Sequence, residues 1–148
     1  QTPPPAEFYS SLTLHEMTVL LSETAKQAKE QGFVETLWHR RRALPELSSS
    51  NFNLRAFGER VALNMPIQGT AADIMKLAMV RVADRLKKEN LRAKLLLQVH
   101  DELIVECPEE EAEQGRTLLR EEMEGAAELR VPLTAEAHSG KNWLEAKE

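Results

Sequence analysis

Three consecutive polar residues, His100-Asp101-Glu102, lie between two apolar runs, Leu95-Leu96-Leu97 with Val99 before them and Leu103-Ile104-Val105 after. An unpaired carboxylate between strand-length apolar segments is costly if those segments are buried. A divalent cation is one way to satisfy it. Mg2+ favours carboxylate oxygens and keeps waters or substrate phosphates in the rest of its shell. Consecutive strand residues point to opposite faces, so Asp101 is expected to be the metal ligand. Glu102 would then stand behind it or position a substrate. The triplet alone is a short pattern that any acidic turn could carry.

Arg60, Asn64 and Gln68 recur at a spacing of four, with Asp73 beyond them. On a helix that spacing places the first three on one side, provided helical geometry persists through Pro66. An arginine and two carboxamides can donate to the acceptors that every base pair shows in the minor groove, a readout nearly blind to sequence. The same residues could instead cap helix ends or bind one another. Arg40-Arg41-Arg42 is a third candidate. Three adjacent arginines need solvent or a polyanion.

The background composition is that of a globular chain. Its 148 residues suffice for one domain with a core. No apolar run approaches the roughly 18 residues of a membrane span, and Gln1-Thr2-Pro3-Pro4-Pro5 lacks the basic and apolar regions of a signal peptide. A cytoplasmic location is expected. One cysteine, Cys107, allows neither an intramolecular disulfide nor a cysteine-based zinc site. The net charge of −5 is segregated: residues 26–94 carry 14 Lys/Arg against 7 Asp/Glu, and residues 95–148 carry 5 against 14. A basic middle joined to an acidic end is compatible with a nucleic-acid face on one side, and equally with charged helix surfaces that cluster.

The elements that must hold these residues can be read in order. Residues 1–12 form an irregular lead-in, extended at its prolines. Thr13-Leu14-His15-Glu16 fits a capping box opening a helix over about 14–31. Its stripe is Leu14, Met17, Leu21 and Ala25, with Val19 and Leu20 beside it, and Gly32 stops it in the left-handed conformation. Phe33 to Leu37 and the residues around Ala43 and Leu44 read as two short strands joined through the basic run. Asn51 or Asn53 caps a helix over about 54–64. Pro66 interrupts it, and a second helix runs from Pro66 or Thr70 to Glu89, burying Ile74, Leu77, Ala78, Val82 and Leu86 and widened by Met75, Met79 and Val80. Leu95 to Pro108 is a β-hairpin whose centre lacks the Gly, Asn or Pro of ordinary tight turns. On strict alternation Leu95, Leu97 and Val99 share one face. Glu109-Glu110-Glu111 supplies negative charge to a helix that reaches about Gly125 and buries Ala112, Leu118, Leu119 and Met123. Val131 to Ala137 reads as an edge strand containing Pro132. The tail folds Trp143 against the body. The fold class is α+β, a small antiparallel sheet formed by the central hairpin and the 131–137 strand with helices packed on it. The 33–44 hairpin is a minor ribbon that can stand apart.

Two stretches carry a resemblance. Asn64-Met65-Pro66-Ile67-Gln68-Gly69-Thr70-Ala71-Ala72-Asp73 and Leu96-Leu97-Gln98-Val99-His100-Asp101-Glu102-Leu103 closely resemble the C-terminal part of family A DNA polymerases, the bacterial DNA polymerase I type. Gly32 to Leu37 with Arg40-Arg41-Arg42 and Leu44-Pro45, Val131-Pro132-Leu133, and Trp143 to Lys147 are similar to the same family in the same order. The resemblance covers about Lys26 to Glu148, with residues 1–25 a lead-in that does not match. It implies a palm fragment whose hairpin presents Asp101 to a pair of magnesium ions and places His100 and Glu102 near a primer terminus. It implies that Arg60, Asn64 and Gln68 contact primer-template DNA, with the basic run Arg40, Arg41 and Arg42 beside them. The reaction implied is attack of a primer 3′ hydroxyl on the α-phosphate of a deoxynucleoside triphosphate, in which two metals activate the nucleophile and stabilise the leaving pyrophosphate. Ala43 stands where many relatives carry an aromatic residue. The family's second catalytic aspartate and its nucleotide-holding fingers helix fall outside these 148 residues, so the isolated chain is expected to be inactive and to bind magnesium weakly. The alternatives are a non-catalytic duplex-binding module and a fragment that self-associates through an uncovered sheet edge.

Overall fold

The computed structural model describes residues 14–147, and of residues 14–18 and 20 only the backbone. The expected lead-in and the Thr13 cap lie outside the described residues. The chain divides into two compact units, residues 1–73 and 74–148. Among the described residues the class is α+β, with helices and two two-stranded antiparallel sheets.

In the first unit, helix α1 spans Leu14–Gln31. It ends as its sequence demands: Gly32 has φ 78° and its N–H donates to Ala28 O at 2.9 Å, the left-handed stop that glycine adopts without a Cβ penalty. Of the expected stripe, the side chains of Leu14, Met17 and Leu20 lie outside the described residues, and Ala25 is half-buried. Ala28 is buried, while Val19 and Leu21 are exposed. Strands β1 (Phe33–Glu35) and β2 (Arg41–Ala43) pair in the register Phe33↔Ala43, Val34↔Arg42, Glu35↔Arg41. The basic run is therefore not merely a connection, because its last two residues are strand. The turn forms earlier, around Thr36. Its N–H donates to Arg40 O at 3.0 Å, its carbonyl accepts from His39 N at 2.9 Å, and its hydroxyl accepts from Arg40 N at 3.2 Å.

A 3-10 turn, Pro45–Ser48, follows and buries Leu47. Asn51 then caps helix α2, its side-chain oxygen accepting from Asn53 N at 2.9 Å and Leu54 N at 3.4 Å. Helix α2 runs without interruption from Phe52 to Lys88, 37 residues with Pro66 inside. The break expected at Pro66 does not occur. A proline removes one helical hydrogen bond and crowds the carbonyl four residues back, here Ala62, at a cost of about 3 kcal/mol. That cost is local and is outweighed by anchors on either side. Ala62 belongs to the core of Ala28, Val34, Leu44 and Leu47, and Met65 packs against it. Three residues beyond the proline, the β1–β2 turn seats on the helix at Gly69 and Thr70.

In the second unit, the C-terminal half of α2 buries Ala78, Val82 and Leu86, whereas Leu77 and Val80 are exposed. Asn90, at φ 53°, reverses the chain, and Leu91 N bonds back to Leu86 O at 3.0 Å. Strands β3 (Lys94–Val99) and β4 (Glu102–Glu106) form the hairpin. Leu95 faces Val105 but Leu97 faces Ile104, so Leu96 is an extra residue in β3. The bulge overturns the expected alternation. Leu95 goes to the face of Leu103 and Val105, which pack on the core of Val82, Leu86, Ala93 and Leu118. Leu97 and Val99 go to the other face. After a 3-10 turn at Glu109–Glu111, helix α3 spans Ala112–Glu124. Leu118 is fully buried and Ala112, Leu119 and Met123 are half-buried.

Ion pairs fasten α3 to α2. Arg81 bonds Glu122 at 2.8 Å and the Gly125 carbonyl at 2.5 Å, and Arg85 reaches Glu89, Glu121 and Glu122. Glu111 does more than decorate a helix start. Its carboxylate accepts from the backbone N–H of Arg92 (3.2 Å) and Ala93 (3.1 Å). Residues 131–137 are not a strand. Burial still alternates at Leu133, Ala135 and Ala137, but Pro132 has no N–H to give a ladder. The segment is tied instead by Ala135 N to Glu124 Oε1 at 3.0 Å. The short helix α4 (Trp143–Lys147) leaves Trp143 exposed, not tucked in. No helix among the described residues is long and apolar enough to cross a membrane.

Candidate nucleic-acid interface and hairpin tip

His100 and Asp101 are the two residues between the paired Val99 and Glu102. A two-residue hairpin loop needs a positive φ that glycine normally supplies. Here His100 takes it, with φ 53°. A non-glycine residue in that region carries a strain of about 1–3 kcal/mol, offset by its surroundings: Gln98 Nε2 donates to His100 O at 2.7 Å and clips the turn shut. The chain thus holds three polar side chains at a tip where glycine would be easier. Asp101 is exposed and has no ion-pair or hydrogen-bond partner among the described residues. The expectation of a buried carboxylate fails. The turn, not desolvation, makes Asp101 available. Glu102 is half-buried, and its Oε1 lies 3.4 Å from Lys147 Nζ.

Among the described residues no three His, Cys, Asp or Glu side chains converge as a metal site. With Glu102 engaged by Lys147, the residues present fit one ligand of a divalent cation and not a complete site.

The continuous helix decides the second constellation. Arg60, Asn64 and Gln68 lie in one row and line a groove of about 460 Å³ together with Arg42, Phe57 and Met65. Arg42 and Arg60 have no ion-pair partner among the described residues. The other two arginines of the run go elsewhere. Arg40 pairs with Asp73. Arg41 stacks over the Phe33 ring, 4.4 Å from its centroid, and its Nε donates to Glu35 at 3.1 Å. The Glu35 carboxyl, bonded by His39 and then Arg41, is held below its ordinary range. Asp73 leaves the row altogether. Its Oδ1 takes Arg40, and its Oδ2 is buried with no hydrogen-bond partner.

Thr36, Gly69 and Thr70 build this site in a way the reading of the sequence did not assign. Thr36 is buried, and a Cβ on Gly69 would lie 2.7 Å from its Cγ2. Thr70 Oγ1 accepts from Leu37 N at 3.0 Å. A glycine inside a helical pattern is the available signal, since it marks a close backbone approach. The family model for DNA polymerase family A matches residues 8–145.

The chain belongs to DNA polymerase family A.

Its curated relatives in that family include DNA polymerase I of Bacillus caldotenax, 54% identical over 127 residues, and that of Caldicellulosiruptor bescii, 50% identical over 127 residues. Each match covers 86% of this chain but only 14% and 15% of the relative. The chain therefore spans about one seventh of the length of these relatives. Among solved structures it is similar to the POL domain of Pol1 from M. smegmatis in complex with DNA primer-template and dNTP. The TM-score is 0.83 at 46% identity, covering 86% of this chain and 23% of that one.

Proposed function

We propose that this chain is the C-terminal palm-type part of a template-directed DNA polymerase, with residues 26–148 forming that part. The observation that carries the reading is the row Arg60, Asn64 and Gln68, kept on one side of α2 by helical geometry that persists through Pro66. The row offers donors to minor-groove acceptors common to all base pairs. Arg42 adds a second unpaired cation for the phosphates. The partner is primer-template DNA, the ligand named for the M. smegmatis structure, with a deoxynucleoside triphosphate in the complete enzyme.

At the hairpin tip Asp101 offers a free carboxylate to magnesium, and His100 and Glu102 flank the primer end. The reaction of the complete enzyme joins the primer 3′ oxygen to the α-phosphorus and releases pyrophosphate. This chain contributes position and charge: it grips the duplex without reading its sequence and fixes the tip against its strained turn. One carboxylate does not make the metal site, so the isolated chain does not extend primers.

Two assays test this reading. Binding of the 148-residue chain to labelled duplex should weaken with salt, log K falling by about 0.9 per log salt for each phosphate neutralised. Asn64→Ala and Gln68→Ala should each weaken it several-fold. Undetectable binding at low salt, or indifference to salt, rejects the interface. Robust primer extension by the isolated chain with magnesium and four nucleotides rejects the claim that its carboxylates are insufficient. A second reading, self-association, is supported by Leu96 and Leu97, 51% and 50% exposed on a sheet that has only two strands among the described residues. A monomer at every concentration in sedimentation would eliminate it.

A further inference from the structure

We infer that Phe57 and the apolar row it heads read the sugar of the bound duplex and make the groove selective for deoxyribose over ribose, an inference that rests on the duplex reading above. Two rows of α2 line the groove together. The polar row is Arg60, Asn64 and Gln68, and the apolar row is Phe57, Val61 and Met65. Each member of the apolar row lies three positions before a member of the polar row. Residues three apart are neighbours on a helix surface, with Cβ atoms about 5–6 Å apart, so the two rows run side by side. Val61 and Met65 are partly buried and pack against the core of the first unit. Phe57 stays 43% exposed. A single exposed phenylalanine needs no explanation, but this one lines the groove beside the donors.

In a duplex the base edges form the floor of the minor groove and the sugars form its walls. That groove is about 6 Å wide in B-DNA. With the donors of the polar row on the floor, a row about 5–6 Å to one side meets a sugar wall. Deoxyribose offers carbon there, and an apolar row suits it. Strands of ribose favour the A form, whose minor groove displays the 2′-hydroxyls. Against this row such a hydroxyl loses water and gains no partner. Phe57 and Val61 have no polar atom, and the Met65 thioether is only a weak acceptor. A hydroxyl buried without a partner should weaken binding by at least about 5-fold.

The test uses the 148-residue chain and three labelled duplexes of one sequence. One is all DNA, one carries a ribose strand, and one carries a 2′-fluoro strand, which favours the A form but has no hydroxyl. Each strand is modified in turn. For at least one strand, the ribose duplex should bind at least about 5-fold more weakly than its 2′-fluoro counterpart. Phe57→Asn, whose amide can bond a hydroxyl, should bring the two close to equal, while Phe57→Leu, which keeps the row apolar, should retain most of the difference. Matching urea midpoints establish that the variants fold. Equal binding of the ribose and 2′-fluoro duplexes overturns the proposal; if both then bind more weakly than DNA, the groove reads helix shape and not the hydroxyl. A ratio unchanged in Phe57→Asn also overturns it, because the selectivity then lies elsewhere. Failure of all three duplexes to bind overturns the duplex reading itself, and this inference with it.

Discussion

Gly69→Ala provides the sharpest test of how the ribbon is seated on α2. In a helix interior, alanine is favoured over glycine by about 1 kcal/mol. On propensity alone the substitution stabilises. The new Cβ, however, would lie 2.7 Å from Thr36 Cγ2, far inside ordinary contact. Thr36 is only 3% exposed and its hydroxyl and backbone are both bonded, so it has little freedom to retreat. Overpacking of this kind costs about 1–3 kcal/mol. Displacing the loop would also weaken the Leu37 N–Thr70 Oγ1 bond, worth about 0.5–1.5 kcal/mol. The net expectation is a destabilisation of about 1–3 kcal/mol. Thr36→Ser removes the offending methyl and keeps the hydroxyl, at about 1 kcal/mol for the lost buried carbon. In that background Gly69→Ala should be neutral or stabilising by up to about 1 kcal/mol. The assay is a double-mutant cycle in urea followed through Trp38 emission in the Trp143→Phe chain. An additive cycle, or a rise in midpoint for Gly69→Ala alone, would show that the close approach does not constrain this position.

Other expectations concern the second unit. Glu111→Ala strips the acceptor from two backbone amides. It should cost about 1–3 kcal/mol and speed hydrogen exchange at Arg92 and Ala93; unchanged protection would refute the role given to that carboxylate. Glu122 is held below the ordinary carboxylate value of 4.5, first by its hydrogen bond from Arg81 and further by Arg85. A depressed folded value means the stabilisation is present above about pH 4.5 and lost as pH falls through the folded value. Thermal stability should therefore drop in that acid window, and Glu122→Gln should flatten the drop; identical pH profiles would contradict this. Burial, with Glu111 and Glu110 adding negative charge, raises the Cys107 thiol. Its alkylation by iodoacetamide at pH 8 should run slower than that of a free thiol, which mass spectrometry can follow.

Local rules carried the places where one residue decides. Gly32 ends α1 because it alone adopts a positive φ without cost, and Asn51 starts α2 because its side chain reaches two orphan amides. The hairpin at 95–108 was legible from two apolar runs with a polar centre. Its centre lacks ordinary turn residues, and the positive φ of the turn falls on His100. The row of Arg60, Asn64 and Gln68 was legible only on the condition that Pro66 did not break the helix.

That condition was a tertiary matter. A proline's penalty is known from the sequence, but the anchors that outweigh it, Ala62 and Met65 on one side and Gly69 and Thr70 on the other, are held by partners distant along the chain. The same holds for the three arginines, which are identical as sequence. Only the paired strands and the seated loop assign Arg40 to Asp73, Arg41 to Phe33 and Glu35, and Arg42 to the groove. Residues 131–137 read as an edge strand, yet a strand exists only where a neighbour accepts its hydrogen bonds. The bulge at Leu96 likewise depends on two strands compared, not on one read alone. Sequence by itself determined which backbone conformations were permitted and which side chains could do chemistry. Tertiary structure decided which of those side chains remain unpaired, because pairing is a property of distance in space and not of distance along the chain.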